Sequence, residues 1–90
     1  MDRISIEKRF YDLVQPIAEK EGFTLIRTEY VLENGNYFLR AFIDKEGGIT
    51  IDDCVLVSRQ ASKLLDKHDF IEESYTMEIS SPGFMETIDE

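Results

Sequence analysis

The stretch FTLIRTEYVLENGNYFLRAFID, residues 23–44, decides the fold. It opens at period two, with Ile26, Thr28, Tyr30 and Leu32 alternating against Leu25, Arg27, Glu29 and Val31. Successive side chains of a strand point to opposite faces, so this alternation predicts a strand over Phe23 to Leu32. Glu33-Asn34-Gly35-Asn36 then carries the Asn-Gly signal of a tight hairpin, whose central residues need positive φ. Tyr37 to Asp44 reads as the returning strand, with Leu39, Ala41 and Ile43 on one face and Phe38, Arg40 and Phe42 on the other. Each strand carries apolar side chains on both faces. A single helical layer covers only one face, so the other is expected to expose aromatic surface such as Phe38 or Tyr30.

Toward the N-terminus, Ile6, Phe10, Leu13, Val14, Ile17 and Ala18 fall at helical spacing. Ser5 or Asp2 suits the start of that helix and Gly22 its stop. Pro16 lies inside the stripe, where it removes the hydrogen bond to the Asp12 carbonyl and predicts a kink rather than a break. Toward the C-terminus, Lys45-Glu46-Gly47-Gly48 is a turn. Thr50 followed by Asp53 resembles a capping box with Asp in place of Glu, and Asp52 and Asp53 suit the positive end of a helix. Ile51, Cys54, Val55, Ser58, Ala61, Leu64 and Leu65 form the expected buried stripe, ending near Asp66. Phe70 to Ser74 reads as a polar connection. Tyr75 to Ser80 alternates as a third strand, and Ser81-Pro82-Gly83 ends it. The order α-β-β-α-β predicts an α+β fold, a two-layer sandwich with both helices on one face. A right-handed crossover sets the third strand parallel to the second, giving a mixed three-stranded sheet in the order 1-2-3.

Leu, Ile, Val and Phe make up 27 of the 90 residues, far above the roughly 20% below which chains tend to be disordered. A single domain is therefore expected over residues 1–83, with 84–90 a tail or the start of a linker. No apolar run approaches the roughly 18 residues that span a bilayer, and Met1-Asp2-Arg3-Ile4 does not begin like a signal peptide. The lone Cys54 excludes an internal disulfide. The expectation is a cytoplasmic protein with no membrane contact. Ten Lys and Arg stand against nineteen Asp and Glu, a net charge of −9. Residues 46–90 hold eleven acids and three bases, so −8 of that charge lies in the second half. Such a chain repels phosphate backbones, and a basic protein is a better direct partner than nucleic acid.

Sites for chemistry are sparse. Cys54 falls on the expected buried stripe, and the single histidine, His68, lies at the helix exit beside Asp69. Asp44, Glu46 and Asp52 match positions of a calcium loop, but Ile49 stands where that loop needs Gly and Val55 where it needs a bidentate Glu. Gly47-Gly48 lacks the Lys and Ser/Thr of a phosphate-binding loop. A KH-type RNA module needs a Gly-x-x-Gly clamp, and none occurs. No catalytic residue, metal or cofactor is expected. The competing enzymatic reading is a small acidic hydrolase or transferase using Asp44, Asp53 or His68.

The stretch YTMEISSPG at 75–83 resembles the signature that ends the N-terminal domain of the ribosome maturation factor RimP family. GFTL at 22–25 running into EYV at 29–31 looks like the first strand of that family, and LRAFIDK at 39–45 like its second. GGITIDDC at 47–54, with VSR at 57–59 and LD at 65–66, is similar to its second helix. These blocks keep their order across residues 10–83. The resemblance implies an α-β-β-α-β sandwich related to KH-like folds, without the Gly-x-x-Gly loop. It also implies a non-enzymatic cytoplasmic factor for assembly of the small ribosomal subunit. The partners it implies are the immature subunit and a basic small-subunit ribosomal protein, with ribosomal RNA contacted at most indirectly. Family members continue into a Leu-Asp-Arg-Pro-like stretch and a small Sm-like barrel, whereas here Gly83 is followed by FMETIDE. The chain is thus expected to be either the N-terminal domain of a longer protein or a short relative. Exposed motif positions become candidate partner-binding residues: Arg40, Asp44, Asp53, Arg59, Ser81, Pro82 and Gly83. Each has a structural alternative, namely a turn for Asp44, a cap for Asp53, strand termination for Pro82 and Gly83, and ion pairing for Arg40 and Arg59.

Overall fold

A computed structural model of the chain describes residues 2–82. Helix α1 spans Arg3–Glu21, strand β1 Thr24–Glu33, strand β2 Asn36–Asp44, helix α2 Ile51–His68 and strand β3 Tyr75–Ser80. The expected α+β sandwich is the observed architecture, a three-stranded sheet in the order β1-β2-β3. β1 and β2 are antiparallel and β3 runs parallel to β2. Residues 84–90 and Gly83 fall outside the described residues.

Local chemistry explains the boundaries. Of the two expected caps Asp2 takes the role, its Oδ1 accepting the Ser5 N–H at 2.8 Å, and Gly22 closes α1 in the left-handed region at φ 80. α1 continues through Pro16 as one helix. Asn34 and Gly35 both have positive φ, 53 and 81, as the hairpin turn demands. Thr50 and Asp53 form a reciprocal capping box: the Asp53 N–H donates to Thr50 Oγ1 at 3.1 Å and the Thr50 N–H to Asp53 Oδ2 at 3.0 Å.

The core lies between the helices and one sheet face. Phe10 and Val14 from α1, Leu39 and Ile43 from β2, and Val57 from α2 are its largest fully buried side chains. Three expectations are corrected here. Tyr30 does not lie on the open face: it faces the helices and is 4% exposed. The cause is a bulge between Leu25 and Arg27, where Leu25 pairs with Ile43 and Arg27 with the neighbouring Phe42, leaving Ile26 as an extra residue. An extra residue inverts the alternation, so Leu25 and Tyr30 both point inward despite opposite parity. In α2 the buried residues are Val57, Ala61 and Leu65, not the whole expected stripe. Ile51 and Val55 are 62% and 41% exposed, because the helix is rotated to centre on Val57. Finally, the connection after α2 is not wholly polar, since Ile71 is buried in the core and Phe70 packs against it.

Candidate partner-binding surfaces

The pairing registers set the face of the sheet that the helices leave open. Glu29, Arg40 and Glu78 lie in one row across the three strands, and Val31, Phe38 and Thr76 in the next. Arg40 is therefore held between acids on both neighbouring strands. Its Nε donates to Glu78 Oε1 at 2.6 Å, and its two terminal nitrogens donate to the two Glu33 oxygens at 3.1 and 3.0 Å. The Glu33 and Glu78 carboxylates raise the arginine pKa, and the Arg40 hydrogen bonds hold the Glu33 carboxyl below its ordinary range. The same guanidinium lies 4.8 Å from the centre of the Phe38 ring, and that of Arg27 lies 4.0 Å from Phe42. The open face thus presents arginine-roofed rings among carboxylates, not bare aromatics. Arg27 and Glu33, essential to this arrangement, were not singled out from sequence. Finding Arg27 opposite Phe42 requires knowing the bulge.

The other candidate residues distribute as follows. β2 and β3 end together, Phe42 pairing with Ser80, so Asp44, Ser81 and Pro82 gather at the end of the sheet where α2 begins. Asp44 Oδ1 accepts the Lys45 N–H at 2.9 Å. Asp53 receives Lys45 Nζ at 2.7 Å in addition to its capping bond. The Lys45 hydrogen bond, with the Thr50 amide, holds its carboxyl below the ordinary value. Ser81 is 3% exposed. Arg59 is exposed on α2, and among the described residues it meets no hydrogen-bond or ion-pair partner. Gly83 lies outside the described residues.

This distribution gives the enzymatic alternative no shared centre. Asp53 and His68 sit near opposite ends of α2, about 22 Å apart along its axis at 1.5 Å per residue, and the Asp53 carboxylate is already engaged. The Cys54 thiol is pushed up by burial and by the Asp53 charge, away from the thiolate a nucleophile needs. No group of three or more metal-ligating side chains occurs among the described residues. Among them, too, no helix is long and apolar enough to cross a membrane.

A family model described as the RimP N-terminal domain matches residues 13–85. The chain belongs to this family. The match runs from the second half of α1 through all three strands and α2 to the 75–83 signature. RimP proteins are non-enzymatic assembly factors for the small ribosomal subunit, so membership carries a ribosome-maturation role. In this RimP domain the features with chemical character among the described residues are surfaces: the arginine-roofed sheet face, the exposed acids of residues 46–82, and the uncovered side of α2.

Proposed function

We propose that this RimP N-terminal domain binds a basic small-subunit ribosomal protein and, with it, the immature small subunit in the cytoplasm, contacting ribosomal RNA at most indirectly. Residues 1–83 act as one binding domain, with 84–90 a tail or the start of a linker. The observation that carries the reading is the family match taken together with the −8 charge of residues 46–90. Acidic surface steers a basic protein into encounter and disfavours phosphate. Among the candidate positions, Arg40, Asp44 and Asp53 serve chiefly to hold the fold and Ser81 is buried, while Arg59 and Pro82 remain for partner contact.

The test neutralises acids that carry no structural bond. Asp52, Asp66 and Glu72 are exposed and among the described residues make no hydrogen bond or ion pair. The triple variant Asp52→Asn, Asp66→Asn, Glu72→Gln should fold normally and bind a purified basic small-subunit protein roughly tenfold more weakly at low salt. Unchanged affinity would overturn the electrostatic reading. Co-sedimentation with immature and mature small subunits across a salt series measures the same property on the whole particle.

A further inference from the structure

The two edges of the sheet are finished differently. On β1 the bulge at Ile26 breaks the edge, and α1 reaches over it. The Tyr30 N–H donates to Glu7 Oε2 at 2.8 Å and Thr28 Oγ1 to the Glu7 carbonyl at 2.7 Å. β3 has no such cover: beyond its pairing with β2, no backbone group of residues 75–80 meets a backbone or side-chain partner among the described residues. An unpaired edge is a template for another strand, and natural proteins usually blunt it with bulges, charge or a covering element.

Beside this edge runs the side of α2 that the core does not use. Ile51, Cys54, Val55, Ser58 and Arg59 of α2, with Ile79 of β3, line a groove of about 450 Å³. Ile51 and Val55 are 62% and 41% exposed there. A strand added to β3 would place one set of its side chains over these apolar residues and the alternate set on the open face of the sheet. On that face the β3 residue offered is Glu78, between Thr76 and Ser80. Arg59, partnerless among the described residues, offers guanidinium N–H groups to the carbonyls of an incoming backbone.

We propose that the β3 edge and the α2 groove together accept an extended protein segment of alternating apolar and basic residues, which adds to the sheet as a fourth strand. The apolar set follows from the groove lining. The basic set follows from Glu78, whose Oε1 is taken by Arg40 but whose Oε2 accepts no hydrogen bond among the described residues, and from the acidic half of the chain to which both walls belong. This inference rests on the reading that the partner is a basic protein, and it names the mode of engagement.

The whole chain, labelled with ¹⁵N, is titrated with a synthetic peptide alternating valine with lysine. Amide shifts and slowed hydrogen exchange should concentrate on residues 75–80. A peptide with proline replacing the valines, which cannot donate to a ladder, should not bind. The double variant Ile51→Ser, Val55→Ser alters exposed side chains, so the fold should persist while peptide affinity falls roughly tenfold or more. Shifts centred instead on Arg27 and Phe38, or equal binding of the proline peptide, would overturn the inference. So would protection in the chain alone of those 75–80 amides that do not pair with β2, which would mean that a second copy or residues 84–90 occupy the edge. The two proposals fail separately. If the acid-neutralised triple variant loses affinity for the ribosomal protein and the groove variant does not, only the strand-addition mode falls. If neither loses affinity, both fall.

Discussion

Arg40 interrupts an apolar strand face between Phe38 and Phe42, which makes it the position least explained by sequence. Register supplies the explanation: Glu29 and Glu78 sit opposite it on either side, and Glu33 reaches it from the hairpin end with both oxygens. Asp53 was legible in advance, because a capping box spans four residues and needs no tertiary information. Its bond to Lys45 was not, since that depends on how the Gly47-Gly48 turn folds back. The Lys45 bond gives a pH prediction. Asp53 holds its proton less tightly in the folded chain than its ordinary value of 3.8. Its contribution is therefore present above that value and is lost as pH falls through the lower folded value. Asp53→Asn keeps an acceptor for the Thr50 amide but removes this titration, while Asp2 and Glu33, also lowered, remain in both proteins. Urea unfolding across an acid pH series should show the native chain more stable at neutral pH and the two converging below about pH 4. A gap that stays constant with pH would mean that the Lys45 bond contributes nothing.

At the scale of elements, helix α2 shows how far periodicity reads. Its existence, start and length were visible, but its rotation was not. The apolar residues from Ile51 to Leu65 span more of the helix surface than the core occupies, so pattern alone does not say which arc faces inward. Packing against α1 and β3 settles it on Val57, Ala61 and Leu65. The same limit applies in β1, where the single extra residue at Ile26 reverses the faces and carries Tyr30 to the core, its hydroxyl donating to Glu73 at 2.9 Å. Local signals such as Asn34-Gly35 and Gly22 were read correctly because backbone geometry alone decides them. The helix phase is testable with two nearly adjacent valines. Val57 is 0% exposed and Val55 41%. Val57→Ala removes buried methyl groups and leaves a cavity, so it should destabilise by about 2 kcal/mol. Val55→Ala should change stability by less than about 0.5 kcal/mol. Chemical denaturation of both variants checks this, and equal effects would place the core arc of α2 elsewhere.

Over the whole molecule, charge and fold pull in opposite directions. A net charge of −9 attracts any basic protein, but it also makes the compact chain repel itself, most strongly in the half that supplies α2 and β3. The ion pairs that offset this are mostly exposed. Lys8–Asp12 has side chains 74% and 61% exposed, and among the described residues the Arg40, Lys45–Asp53 and Lys20–Glu21 contacts draw on at least one side chain less than a third exposed. Exposed pairs contribute little and are themselves screened by salt. With nineteen acids against ten bases, self-repulsion outweighs attraction. Added sodium chloride, by screening both, should therefore raise the thermal midpoint of the free chain. Binding to a basic ribosomal protein should respond with the opposite sign, since the same screening removes the attraction that steers the two together. Thermal melts and affinity measurements over one salt series separate these cases. A midpoint that falls with salt would show that the Arg40 and Lys45 networks dominate the electrostatics of the fold. A midpoint that rises while affinity is unmoved would leave the acidic half as a solubility feature and shift recognition to the apolar groove.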